Sequence, residues 1–396
     1  MNGKDVKKRR ILFLSSSSGF SGAEVVLINL LRTMDKERFE VSVFSNVNNL
    51  LLVERLRDLA VGFKTSSRFP DPEITGKTGL GLSKVFTYVS SIIQVGTELI
   101  SYLRKNPFDL IHANGYPDCL YCLFPAWRAG IPLTWHLHDM RPIHSKNAWV
   151  YRLAGRLSAK SIAVSEACRL NLLRSRIPAS KVVTVYNGID LHQFKEDPNG
   201  PSVREELGIS SGAKVIGLFG QPLPDKGHSY FIEAAAEVVR VFPETRFLIV
   251  GYVYPSAYQR SLENLVNNLY LRQHVLFTGW RGDVPRVMAA VDVLVHARIT
   301  PEPAALVLLE AMAMGKPVVC SATGGSPELV LDRVTGILVP PRDSRAIAEG
   351  VLHLLRNPDL ADQMGRNGRK RVEETFALDT QTRKVCDVFA EVMGLE

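Results

Sequence analysis

One pattern limits the fold more than any other. Short, continuously apolar runs recur along the chain, and amphipathic stretches of helical period lie between them. A run that is apolar at every position reads as a strand buried on both faces, and such strands belong to parallel sheets covered by helices. In the first half the runs fall at 10–14, 40–44, 110–113, 133–137, 161–164 and 182–186, with helical stretches over 23–33, 82–104 and 166–173. The second half has runs at 214–219, 246–250, 275–278, 293–296, 317–320 and 336–339. Helices are predicted there over 229–242, 257–269, 284–290, 306–314, 327–331 and 345–356. Two such series predict an α/β protein of two doubly wound, Rossmann-like domains.

The break between the series falls in 188–212, where Asp197-Pro198-Asn199-Gly200-Pro201 has the composition of a linker. The predicted domains are 1–190 and 191–377, with 378–396 as a last amphipathic helix packing back toward the first domain. Residues 66–82, rich in Ser, Pro, Gly and Thr, read as a long loop.

Composition removes several classes. With 396 residues, 46% hydrophobic and 22% charged, the chain is neither disordered nor in need of disulfide staples. No apolar run approaches the ~18 residues of a membrane-spanning helix. The run after Lys7-Lys8-Arg9-Arg10 stops after four residues at Ser15, too short for a secretory signal, and reads as a first buried strand. Five cysteines, odd in number and scattered, fit the reducing cytoplasm. The net charge of +8 is uneven: residues 1–190 carry 26 basic and 15 acidic groups (+11), leaving −3 for the remainder. A basic half fits an anionic partner such as phosphate or lipid headgroups, although ordinary surface charge accounts for it equally well. No aromatic stacking pattern or known module supports nucleic acid as a partner.

In an open parallel sheet, ligands bind beyond the carboxyl ends of the strands. After the first run comes a small-residue loop, 16–24, whose Gly19 and Gly22 let backbone amides approach an anion at a helix start. It matches neither the dinucleotide-binding nor the GK[ST] phosphate-loop spacing, and a plain turn fits as well. His138-Asp139 follows the run at 133–137, and His138 can donate to a sugar hydroxyl. His136 reads as a satisfied structural histidine. The remaining histidines form no metal-ligating pair or Cys/His cluster. Cys119-x-x-Cys122 sits in an apolar helical stretch and reads as buried thiols. Lys226 precedes Gly227 at a helix start, a position suited to phosphate. The strongest constellation is Pro301-Glu302-Pro303-Ala304-Ala305-Leu306-Val307-Leu308-Leu309-Glu310. Pro303 suits the first turn of a helix, which predicts free amides over 304–307. Glu302 and Glu310 would then stand ~12 Å apart, reaching different parts of one extended ligand.

Together these residues resemble the retaining, nucleotide-sugar-dependent glycosyltransferases of family 4, which have the GT-B fold. Ser21-Gly22-Ala23-Glu24 is similar to the family's first glycine loop, and Pro132 to His138-Asp139 to its histidine segment. Ala163-Val164-Ser165-Glu166, Tyr186-Asn187-Gly188-Ile189-Asp190, and Gly220 to Lys226-Gly227 match further segments in order. Glu302 and Glu310 match the paired-glutamate signature, and Gly324-Gly325-Ser326-Pro327-Glu328 with Gly336-Ile337-Leu338-Val339 complete it.

The resemblance implies two Rossmann-like domains facing across a cleft, the first on the acceptor side and the second holding a nucleotide diphosphate sugar. It implies that amides near Gly22 hold donor phosphate and that His138 and Glu302 contact the transferred sugar as catalytic residues. Lys226 would neutralise the diphosphate, Glu310 would bind the ribose hydroxyls, and Trp280 and Arg281 would lie near the nucleobase. The helix start at Ala305, Leu306 and Val307 would complete the donor site. No metal or cofactor is implied, and the acceptor would be a sugar or a lipid-linked one.

Two departures stand out. The family's usual Arg after the glycine at 220 is Gln221 here, and losing that charge could weaken donor binding by ~1.5–3 kcal/mol. The usual Phe-Gly after Glu302-Pro303 is Ala304-Ala305. Three rival readings share the fold: a nucleotide-sugar epimerase, a sugar-phosphate synthase, and a non-catalytic sugar-nucleotide binding module. A second partner is predicted as well. Nine basic residues against Glu166 alone lie between Arg141 and Lys181. Arg152, Arg156 and Lys160 at helical spacing, flanked by Trp149, Tyr151 and Leu153, predict an anionic membrane surface.

Overall fold

In the computed structural model, which describes residues 8–70, 82–140, 148–195, 202–252 and 256–395, the apolar runs form two wholly parallel sheets. The first holds β1 (Arg9–Ser15), β2 (Phe39–Asn46), β3 (Gly62–Ser66), β4 (Leu110–Ala113), β5 (Leu133–Leu137), β6 (Lys160–Ala163) and β7 (Val182–Thr184). Their spatial order is 3-2-1-4-5-6-7. The second holds β8 (Val215–Phe219), β9 (Arg246–Val250), β10 (Val275–Gly279), β11 (Val293–His296), β12 (Val318–Ser321) and β13 (Gly336–Val339), in the order 10-9-8-11-12-13. In each sheet the winding direction reverses once, between β1 and β4 and between β8 and β11. A crevice opens at such a reversal because the flanking connections leave to opposite faces.

The sheets belong to two compact units. One comprises residues 1–188 and 378–396, the other residues 189–377. The core of the first is built from Ile11 and Phe13 of β1, Val43 of β2, Leu110 of β4, and Leu27, Leu30 and Leu31 of helix Gly22–Thr33. Val385 and Phe389 of the last helix, Leu378–Val392, join it. The Phe389 ring stands 6.0 Å from Phe13 and 4.9 Å from His112. The second core is formed by Ile216, Phe247, Val293, Val319 and Ile337 from successive strands, with Phe231 and Val351 from covering helices.

Several elements depart from the sequence reading. Strand β3 and the helices Leu50–Asp58 and Pro358–Thr375 were not among the predicted elements. Helix Ala148–Leu157 ends before Lys160, which opens β6 and pairs with Glu391 at 2.8 Å. Tyr151 is buried against the rings of Tyr116 and Trp135. The single basic helix face expected from Arg152, Arg156 and Lys160 is therefore not formed. Most of the loop expected over 66–82, the segment 141–147 and the linker at 197–201 lie outside the described residues. Among the described residues no helix is long and apolar enough to cross a membrane.

Candidate functional site

In the second unit, the connections that leave β8 and β11 meet at the sheet's reversal point. The chain after β8 passes through a tight turn, Pro224–Lys226, and reaches Gly227 at φ +75°. A Cβ there would lie 1.9 Å from the carbonyl oxygen of Ala297, so only glycine lets the two connections close up. The Ile299 N–H donates to the Asp225 carbonyl at 3.1 Å and locks that approach.

This closure brings Lys226 to Glu302, with Nζ donating to Oε1 at 3.2 Å. The other carboxylate oxygen meets His296 Nε2, at the end of β11, at 3.0 Å. Arg298 lies 3.7 Å from the same oxygen and pairs with Asp225 at 3.0 Å. Behind His296, its Nδ1 stands 3.6 Å from Cys320 Sγ on β12. The Glu302 backbone is gripped as well. Gly325 N–H donates to its carbonyl at 2.8 Å, and Gly324 at φ +58° packs against it where a Cβ would stand 2.0 Å from that oxygen.

The electrostatics follow from this packing. Burial alone would raise the Glu302 carboxyl, but the hydrogen bond and charge of His296, then Lys226 and Arg298, hold it well below the usual carboxylate range. Burial alone would lower His296; its bonds to Cys320 and Glu302 overcome that and raise it to about 9. The result is a mostly buried, ionised carboxylate inside a cationic ring. Of this ring, sequence reasoning singled out only Lys226 and Glu302. His296, Arg298 and Asp225 were missed, although each lies in a connection at the reversal point.

Pro303 does not open a helix. Helix Leu306–Ala313 starts three residues later, with Ala305 at its N-cap and no side-chain capping bond. The ~12 Å separation assumed one continuous helix from Glu302 and does not apply. The free amides shift accordingly from 304–307 to the turn beginning at Leu306 and Val307. An alanine cap offers no oxygen, so these donors are left to a ligand or to water. One further turn along, the Glu310 carboxyl has no hydrogen-bond or ion-pair partner among the described residues. The surrounding protein pushes it up to about 7, although the side chain keeps some contact with solvent.

The other residues expected in this unit are placed as follows. Gln221 follows Gly220 with its side chain exposed. Trp280 is exposed after β10. Arg281 bonds both Asp283, at 2.7 Å, and Glu206, so its charge is already matched by two carboxylates.

In the first unit, the loop after β1 is held from several sides. Ser16 N–H donates to Asp118 at 2.7 Å, Asn46 to the Ser16 carbonyl at 3.1 Å, and Asn49 to the carbonyls of Ser17 and Gly19. Buried Glu24 accepts from the Ser21 N–H at 2.9 Å and its hydroxyl at 2.6 Å, fixing the turn into Gly22, where the helix begins. Burial pushes the Asp118 carboxyl up to about 7 despite its bonds from Ser16. His138 does not stand alone. Its ring stacks on His136 at 4.4 Å, and His136 meets His112 at 5.5 Å. Neighbouring strands align the three rings, and among the described residues no group of His, Cys, Asp or Glu side chains could hold a metal ion. Nor is His136 satisfied among the described residues, because its buried Nε2 has no hydrogen-bond partner there, and neither has that of His138. Burial lowers His112 to about 3 and His138 to about 4, so the rings are neutral near pH 7. Cys119 and Cys122 are buried, and desolvation raises both thiols, Cys119 to about 12.

Comparison with known proteins agrees with this architecture. Residues 20–193 match the family model Glycosyltransferase Family 4, and residues 201–371 match Glycosyl transferases group 1. A similar curated protein is the Escherichia coli UDP-Gal:alpha-D-GlcNAc-diphosphoundecaprenol alpha-1,3-galactosyltransferase, 24% identical over 74% of this chain and 78% of that one. Another is the Bacillus anthracis N-acetyl-alpha-D-glucosaminyl L-malate synthase, 29% identical over 78% and 81%. Among solved structures, Anabaena HepE in complex with UDP and glucose superposes with a TM-score of 0.84 at 26% identity, covering 97% of this chain and 100% of that one. With two family models spanning most of its length and a GT-B neighbour matching both units, the chain belongs to the family 4 type of GT-B glycosyltransferases.

Proposed function

We propose that the protein transfers a sugar from a nucleoside diphosphate sugar to an acceptor hydroxyl, with retention at the anomeric carbon. The observation that carries this reading is the convergence, at one reversal point, of Lys226, the cation-ringed Glu302 and the uncapped helix before Glu310. We assign Lys226 and the amides at Ala305, Leu306 and Val307 to the diphosphate, Glu310 to the ribose hydroxyls and Glu302 to the transferred sugar. Gly22 and neutral His138 of the first unit take the roles of phosphate and sugar contacts, with the first unit on the acceptor side. Trp280 is assigned to the nucleobase; Arg281 would reach it only by leaving one of its carboxylates.

In the proposed reaction the acceptor oxygen bonds to the anomeric carbon on the face from which the diphosphate departs. The acceptor's proton passes to the leaving phosphate oxygen. The protein's part is positioning and stabilisation of the diphosphate charge, with Lys226 and helix amides rather than a metal ion in that role. HepE, solved with UDP and with UDP-glucose, makes UDP-sugars the first donors to try. The E. coli relative's diphosphoundecaprenol substrate supports a lipid-linked acceptor in glycan or glycolipid synthesis, and the odd, scattered cysteines fit the cytoplasm.

The test is to incubate the protein with UDP- and GDP-sugars, with and without acceptors. Nucleoside diphosphate release and the product's anomeric configuration by NMR are the readouts. Release that requires an acceptor, with the donor's configuration kept, supports the reading. An isomerised sugar nucleotide formed without acceptor would make the protein an epimerase. Binding without turnover would make it a binding module, and an inverted product would remove retention.

A further inference from the structure

Three neighbouring helices of the first unit each present a stripe of large apolar side chains to solvent. Helix Leu82–Lys105 exposes Phe86, Val89 and Ile93; helix Tyr116–Ala129 exposes Phe124 and Trp127; helix Ala148–Leu157 exposes Trp149, Leu153 and Leu157. Within each helix the spacing is three or four residues, so each set lies on one face. The exposure is extensive: 76% for Phe86, 75% for Trp127 and 65% for Trp149. The first two helices lie side by side, with the Tyr88 and Tyr121 rings 6.2 Å apart and Gly96 facing Pro125, whose ring a Cβ there would meet at 3.7 Å. A recess of about 500 Å³, lined by Phe124, Trp127, Ile131 and Leu157 among others, joins the second to the third. The stripes are thus brought together along neighbouring helices, and contiguous exposed apolar side chains of this kind mark interaction surfaces.

Among the described residues, the charged side chains that flank the exposed stripes of the second and third helices are basic. Arg128 follows Trp127, and Arg152 and Arg156 run along the third helix. Arg152 and Arg156 each give an N–H to a main-chain carbonyl, of Ser175 and Arg176, and neither meets a carboxylate among the described residues. Lys181 likewise bonds the carbonyls of Arg156 and Ser158. The acids of these helices are engaged elsewhere: Glu98 with Lys64 and Arg68, Asp118 with Ser16. A second copy of the chain seated here about a two-fold axis would set arginine against arginine.

We propose that this face docks the protein on an anionic lipid surface, with Phe124, Trp127 and Leu157 entering the headgroup boundary and the arginines meeting lipid phosphates. Aromatic side chains suit that boundary because one part is apolar and the other tolerates water. The inference stands apart from the transfer reaction, because docking is measured without donor or acceptor.

The experiment is co-sedimentation with vesicles of phosphatidylcholine alone or mixed with phosphatidylglycerol, at about 0.05 and 0.5 M salt. Wild type is expected to bind the anionic vesicles at least tenfold better than neutral ones and to lose at least tenfold in high salt. Two exposed-site variants accompany it, Trp127→Ser with Leu157→Ser and, separately, Arg128→Glu, each checked for an unchanged circular dichroism spectrum. The first is expected to lose binding at least tenfold and the second to lose mainly the preference for anionic lipid. Equal recovery with both lipids, recovery with neither, or a Trp127→Ser/Leu157→Ser variant that sediments like wild type would overturn the proposal. So would light scattering showing a dimer that this double variant dissolves, because the face would then be covered by a second copy.

Discussion

Replacing Glu310 with Gln is expected to stabilise the protein while weakening its nucleotide binding. In the fold the carboxyl titrates at about 7 against an ordinary 4.5, because desolvation disfavours its charge and no partner among the described residues offsets it. The wild type therefore carries no penalty below pH 4.5. The penalty grows as the pH rises from 4.5 to 7 and is complete above 7. At about 1.4 kcal/mol per pH unit the full cost is roughly 3 kcal/mol, and solvent on the open side of the carboxyl reduces it to about 1–2 kcal/mol. For a domain of this size that is a Tm gain of roughly 2–8 °C at pH 8, shrinking toward zero at pH 5. Binding moves the other way. Ribose hydroxyls bonding an ionised carboxylate are worth about 1.5–3 kcal/mol, so the variant should bind UDP about ten- to a hundredfold more weakly at pH 8. Because binding favours the ionised form, this gap should narrow as the pH falls through 7. Differential scanning calorimetry and isothermal titration with UDP across pH 5–8 measure both halves. A variant no more stable than wild type at pH 8, or one that binds UDP equally well, would refute the reasoning.

Other substitutions separate the remaining roles. Lys226→Ala should lower kcat/KM by about ten- to a hundredfold with the fold intact, and near-normal turnover would take Lys226 off the diphosphate. Gln221→Arg should leave UDP affinity unchanged or raise it, since the exposed Gln makes no contact that the site needs; a large loss would reveal one. Glu302→Gln should lower kcat more than nucleotide affinity, and by removing the anion it should bring the His296 imidazole down from about 9, read by NMR titration. The stability that His296 gains from this pairing is full below 6.5 and lost as the pH rises through about 9, so the Glu302→Gln variant should show a flatter stability curve across that window. Gly227→Ala should destabilise the second unit in urea, because its Cβ would meet the Ala297 carbonyl at 1.9 Å; an unchanged midpoint would contradict the packing described.

The fold was legible in the sequence where burial on both sheet faces makes a run apolar throughout, as in Ile11–Leu14. It was not legible at β3, Gly-Phe-Lys-Thr-Ser, because an edge strand keeps one side toward solvent and the apolar signal thins out. Helix Pro358–Thr375 escaped because it is strongly charged, and because Gly365 and Gly368 interrupt the apolar stripe where it packs closely on Gly315 and Met312. At the candidate site, Lys226, Glu302 and Glu310 announce themselves by order and spacing. What sequence could not provide is the closure of two connections about 70 residues apart, which turns His296 from one histidine among nine into the partner of Glu302. Pro303 misled for a related reason: proline permits a helix start, but the Gly325 N–H holds the Glu302 carbonyl and the helix does not begin until Leu306.

The chain's route through its two units has a consequence for biosynthesis. Residues 189–377 are, topologically, an insertion between the bulk of the first unit and its final helix. On a ribosome the inserted unit is fully translated while the earlier one still lacks Val385 and Phe389, so the apolar faces of Ile11, Phe13 and Leu30 stay open in the meantime. The usual vectorial order, N-terminal domain first, is inverted. Residues 378–392, made after the inserted unit, are the ones that seal strand β1. A stop codon near position 378 would therefore unravel the amino-terminal half and spare the carboxyl-terminal one, and limited proteolysis of such a truncated chain should leave the 189–377 fragment as the resistant core.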